Sequence, residues 1–193
     1  MNAELTSLLR ATSRSFYLTL RVLPGAIRPQ IGLAYLLART TDTISDTAIL
    51  PVDQRLSALG KLRDRIVGQS SSPLNFGEFT KNQSSPAEQM LLEKIEAALA
   101  LLQKLSPADL KLVREVLTII TSGQELDLRR FGGATDDHII ALQTPTELDD
   151  YTYRVAGCVG EFWTKICRAH LFPLAPRPAR CSRPAGAVMC SSA

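Results

Sequence analysis

In three places a hydroxyl residue, a proline, one further residue and an acid stand in that order: Ser85-Pro86-Ala87-Glu88, Ser106-Pro107-Ala108-Asp109 and Thr144-Pro145-Thr146-Glu147. Each is a helix start written into the chain. The hydroxyl accepts an orphan backbone N–H, proline loses nothing at the first helical position, and the acid can close a capping box. Leu50-Pro51-Val52-Asp53 repeats the pattern without the cap. Apolar residues then recur at helical spacing, as in Leu91, Ile95, Ala98, Leu99 and Leu102. The pattern predicts helices over 3–22, 29–47, 51–68, 86–104, 107–131 and 145–171. A Ser/Asn/Gly-rich loop is expected over 69–85, and Gly132-Gly133 should end the fifth helix. Strand-like alternation is too short everywhere to matter, so the fold class is all-α.

A chain of 193 residues with 45% hydrophobic and 21% charged residues is expected to fold as one domain with a true core. The net charge of +3 is unevenly placed. From Phe162 onward there is no acid but five basic residues, leaving 17 basic against 19 acidic residues before it. The excess sits in the tail and comes without the aromatic interleaving or recognition helix of a nucleic-acid binder, so no nucleic-acid partner is expected. All four cysteines (Cys158, Cys167, Cys181, Cys190) fall in the last quarter, with no CxxC pair and no histidine at zinc-ligand spacing. Met1 is followed by a polar, mixed-charge stretch, and no apolar run reaches the length of a membrane span. A cytoplasmic, reduced protein is the default expectation.

Asp42 and Asp46 lie four apart, on one face of the helix over 29–47. Two carboxylates so placed repel each other unless they face solvent or share a cation, and Mg²⁺ prefers such hard oxygen ligands. The preceding stretch Ile31–Ala38 is almost wholly apolar, so its helix is expected to be buried on several sides. Arg39 could form a local ion pair or a guanidinium fork for diphosphate oxygens. Tyr35 could be a core aromatic or a hydroxyl donor. Ser13-Arg14-Ser15-Phe16 reads as an exposed polar turn or as an anion site. In Tyr151–Glu161 the small residues at 156, 157, 158 and 160 weaken a helix, so something bulky should lie against them, either another helix or a ligand chain.

Taken together, Ser13–Phe16, Tyr35–Asp46 and Tyr151–Lys165 resemble the squalene/phytoene synthase family. The stretch Tyr151-Thr-Tyr-Arg-Val-Ala-Gly-Cys-Val-Gly-Glu161 is the most specific of them. Gln124–Phe131 resembles the preceding segment in the squalene-forming branch. The resemblance implies a single helical bundle of the isoprenoid synthase type around a cavity. Its reaction is the Mg²⁺-dependent, head-to-head joining of two farnesyl diphosphates, giving presqualene diphosphate or squalene. Carried over, Asp42 and Asp46 would hold Mg²⁺. Arg14, Arg39, Ser13, Ser15 and Tyr35 would contact diphosphate, and Tyr151 would stand near the reacting carbons. Phe16, Leu20, Val155, Ala156 and Gly157 would line the cavity, with Tyr151 and Arg39 the catalytic pair.

The chain departs from the family after Phe172. The partial synthase domain is expected to occupy 1–172, with 173–193 an irregular Pro/Arg/Cys tail that is either flexible or out of frame. The family's second aspartate-rich motif should follow there, and no acid remains to form it. The bundle is thus expected to be incomplete at its C-terminus and inactive as written. The resemblance leaves room for NADPH as reductant and for peripheral association with membranes. Two other readings stand beside this one: phytoene-type coupling of geranylgeranyl diphosphate, and a non-catalytic helical interaction protein.

Overall fold

A computed structural model of the chain describes residues 3–13 and 16–173. Those residues form α1 (Ala3–Ser13), α2 (Phe16–Val22), α3 (Arg28–Ser45), α4 (Val52–Val67), α5 (Gly77–Lys81), α6 (Pro86–Glu93) and α7 (Ile95–Leu102). They continue with α8 (Pro107–Phe131), α9 (Pro145–Thr152), a π-helical turn (Tyr153–Gly157) and α10 (Cys158–His170). No strand occurs among the described residues, so the all-α expectation holds.

The helix starts behave differently from one another. Thr144 accepts the Glu147 N–H at 3.2 Å while Glu147 bonds back to the Thr144 N–H, a complete capping box. Ser106 accepts from the Asp109 N–H, but the Asp109 carboxylate turns away into the core. Ser85 makes no side-chain cap at all, because Glu88 is drawn off to pair with Arg39. In both cases the carboxylate of the acid takes a tertiary partner instead of closing a capping box.

Two further departures have packing causes. The helix expected over 86–104 bends at Lys94, so that α6 packs against α1 and α5 while α7 turns toward α4. Inside the expected loop, Phe76 and Phe79 are buried edge-to-face at 6.0 Å, and their burial draws 77–81 into the short helix α5.

The core is built on α8, which packs most extensively against α3, α4 and α10. Val113, Val116, Leu117 and Leu128 of α8 meet Leu33, Leu36, Leu37 and Ile44 of α3 and Leu59, Leu62 and Ile66 of α4 in one apolar cluster. Gln30 contacts Asp109 and Asp42 contacts Gln124, so α3 and α8 run parallel. Helix α10 runs antiparallel to α8: Arg154 meets Ser122, Lys165 meets Glu115 and His170 meets Asp109, at 2.7, 2.6 and 2.7 Å. Helix α8 ends at Gly132, where a Cβ would stand 2.3 Å from the Leu128 carbonyl oxygen, so only glycine fits.

Candidate functional site

Helix α3 carries an unusual load of threonine near its C-terminus. Thr40, Thr41 and Thr43 are all buried, and the first two return their hydroxyls to the Leu36 and Ala38 carbonyls. The Thr43 hydroxyl is buried without a partner. This packing sinks the end of α3 into the bundle and takes Asp42 with it. Burial pushes the Asp42 carboxyl up to about 6, and the Asp46 charge adds to that; Arg39 and the Gln124 hydrogen bond act against it.

Asp46 sits one residue beyond the last turn of α3 and is exposed. It lines a cleft of about 330 Å³ together with Thr43, Thr47, Asn82, Gln83 and Glu88. The expected pair therefore shares an electrostatic environment but is asymmetric: Asp42 leans on α8, whereas Asp46 faces the cleft. Among the described residues, no three Asp, Glu, His or Cys side chains converge tightly enough to hold a metal by themselves. The local donors nonetheless suit a hard cation. They are two carboxylates, one of them held in a costly buried position, and the Gln124 carbonyl oxygen, buried without a partner.

Arg39 does not pair with Asp42 as a simple local ion pair. Its guanidinium bonds Glu88 of α6, and its Nε is buried without an acceptor. Phe16 and Tyr35 stack, with ring centroids 4.8 Å apart. Ser13 is buried and returns its hydroxyl to the Leu9 carbonyl of its own helix. Leu20 is 1% exposed and belongs to the core. Arg14 and Ser15 lie outside the described residues, as does the tail from residue 174 onward.

The third predicted segment packs against α8. Tyr151 lies half-buried in the last turn of α9, two residues before the π-helical turn begins. The turn arises because the Cys158 N–H reaches the Tyr153 carbonyl five residues back; such insertions concentrate at functional sites. Cys158, Phe162 and Ile166 then face α8, while Val155 (44% exposed) and Val159 (38%) face away, beside exposed Ala156 and Gly157. Gly157 lies against its own turn, a Cβ there meeting the Tyr153 ring at 3.1 Å, and a Cβ at Gly160 would meet nothing within 4 Å. Close helix approach occurs instead at Gly123 of α8, where a Cβ would come within 2.9 Å of the Arg154 Cβ. The small residues of Ala156–Gly160 thus leave space rather than admit a neighbouring helix.

Sequence reasoning missed the contact of Gln124 with Asp42. The neighbouring Glu125 takes Arg63 of α4 at 2.5 Å and Arg129 at 3.9 Å. The contacts with α3 and α4 join positions far apart in sequence, so spacing carries no sign of them. Asp127, one turn on from Gln124, has its carboxyl raised by burial and one oxygen buried without a partner.

The all-helical bundle of the described residues has the fold expected of the isoprenoid synthase class. The squalene/phytoene synthase family model matches residues 9–190. The chain belongs to that family. It is 26% identical over 166 residues to squalene synthase ERG9 of Saccharomyces cerevisiae, covering 82% of this chain and 34% of the yeast protein. It is 28% identical over 167 residues to a bifunctional lycopene cyclase/phytoene synthase of Colletotrichum graminicola, covering 82% of this chain and 25% of that one. The structure of TcSQS with the ligand E5700 superposes with a TM-score of 0.65 at 23% identity, covering 86% of this chain and 45% of that one, and shares its fold. The chain spans about a third of the yeast relative's length.

Proposed function

We propose that this chain is part of an enzyme that joins two prenyl diphosphates head to head, with farnesyl diphosphate as substrate and presqualene diphosphate or squalene as product. The observation that carries the reading is the Asp42 carboxylate, half-buried at the end of α3 and raised to about 6, beside a second acid. Charge held at such a cost is expected where a cation or a reaction uses it. Asp42 and Asp46 would hold Mg²⁺, which when bound neutralises the departing diphosphate.

The other residues then have distinct tasks. Arg39 exchanges Glu88 for a diphosphate oxygen, keeping its partly exposed guanidinium paired throughout. The stacked Phe16 and Tyr35 and the exposed Val155, Val159 and Gly160 face supply apolar surface against which an isoprenoid chain excludes water. Tyr151, in the last turn of α9, would stand near the reacting carbons. The described residues carry one aspartate pair, so the reading assigns them binding of cation and diphosphate rather than the whole reaction. Farnesyl over geranylgeranyl chains is favoured by the Gln124–Phe131 segment; the similarity to a lycopene cyclase/phytoene synthase keeps the longer chain as a comparison.

Equilibrium binding of farnesyl and geranylgeranyl thiodiphosphates to the full chain, with and without Mg²⁺, tests this. Tighter, Mg²⁺-dependent binding of the farnesyl analogue, lost in Asp42→Asn, is expected. Binding indifferent to both Mg²⁺ and Asp42 would overturn it. That outcome, with a second protein captured on the exposed Val155–Val159 face, favours a non-catalytic helical interaction protein instead.

A further inference from the structure

At the end of α3 that bears the aspartate pair, α8 contributes a side chain with no assigned task. Gln124 is 8% exposed, and its Nε2 donates to Oδ1 of Asp42. Its carbonyl oxygen Oε1 is buried with no partner. Leaving such an acceptor unsatisfied costs more than the amide's single hydrogen bond returns, and an apolar side chain of the same size would avoid the cost.

An orphan oxygen alone makes no site, and Gln30 shows why. It too donates to a buried aspartate, Asp109, and its Oε1 is likewise unpartnered. But both Asp109 oxygens are taken, Oδ2 by Gln30 and Oδ1 by His170. Beside Gln124 the circumstances differ: Gln124 bonds only Oδ1 of Asp42, and a second acid, Asp46, stands one helical turn further along α3.

We propose that Gln124 is the third member of the cation site, its Nε2 fixing the Asp42 carboxylate and its Oε1 serving as a neutral oxygen donor to the metal. The proposal rests on the reading of Asp42 and Asp46 as the Mg²⁺-binding pair. The parallel packing of α3 on α8 sets the register, bringing position 124 level with position 42.

Isothermal titration of the full chain with Mg²⁺ alone tests the proposal, with thermal unfolding in metal-free buffer recorded alongside. Gln124→Met should weaken Mg²⁺ binding by about tenfold or more, the usual cost of losing a supporting group at a metal. Gln124→Glu, which keeps an oxygen at that place but gives up the Nε2 bond to Asp42, should lose clearly less affinity than Gln124→Met. If Gln124→Met fails to fold, Gln124→Asn, which withdraws the amide by one methylene, takes its place with the same expected loss. Unchanged affinity in the Met or Asn variant, while Asp42→Asn abolishes binding, overturns the role of Gln124 and leaves the aspartate reading standing. Equal losses in the Glu and Met variants overturn the oxygen-donor role. No Mg²⁺ binding by the wild-type chain overturns the aspartate reading and this proposal with it.

Discussion

The two ends of the α3–α8 interface are built from the same parts and tuned in opposite directions. At one end Gln30 of α3 donates to Asp109 of α8; at the other Gln124 of α8 donates to Asp42 of α3. Burial opposes ionisation of Asp109, but hydrogen bonds from His170, Gln30 and Ser106 outweigh it and hold the carboxyl below its usual range. Asp42 has one such donor and a neighbouring acid, and its carboxyl stands at about 6. The first end is a finished joint that ties α3, α8 and α10 together. The second holds a charge that the protein leaves under-compensated. A buried acid on its own therefore says little; the number and sign of its partners separate a structural joint from a candidate site.

The largest expected effect lies at the finished joint. Asp109→Ala strips Gln30 and His170 of their acceptor and should cost about 3–5 kcal/mol in urea unfolding; a near-neutral result would break the contrast. Because the folded carboxyl titrates below its unfolded value of 3.8, the stability it gives is present above that pH and is lost as pH falls through the folded value.

At the other end the sign reverses. Asp42→Asn keeps an acceptor for Gln124 and removes a costly charge, so it should stabilise the metal-free chain by on the order of 2 kcal/mol. Asp42 titrates near 6 when folded and near 3.8 when unfolded, so the folded chain gains stability as pH falls between them. The advantage of Asn should be full at pH 8 and gone near pH 4, read from denaturation midpoints across that range.

Two smaller effects sharpen the picture on α10. Gly123→Ala forces the π-helical turn off α8 and should cost about 1–3 kcal/mol, seen as a lowered melting temperature. Val159→Asp, on the open face, should shift stability by less than about 0.5 kcal/mol. Yet it should weaken binding of a farnesyl thiodiphosphate, a loss that a merely exposed valine would not produce.

Much of this was legible locally. The Ser106–Pro107 start and Gly132 stop bound α8 as the sequence predicts, and the Thr144–Glu147 box forms in full. What escaped the sequence is non-local. Glu88 leaves its cap for Arg39, 49 residues away, and Gln124 finds Asp42, 82 residues away. Spacing cannot reveal either contact, because both depend on how finished helices are set against each other. The π-helical turn escaped for a different reason: it is defined by the Cys158 N–H bonding five residues back to Tyr153, and no residue type in 151–161 specifies that bond.

The most direct test of the contrast is a carbon-detected NMR titration of the aspartate side chains, with and without Mg²⁺. Asp42 should titrate near 6 in the metal-free chain and fall when Mg²⁺ is added, while Asp109 stays below its usual range in both. An Asp42 that titrates as an ordinary carboxylate, or that ignores Mg²⁺ as Asp109 does, would contradict the account.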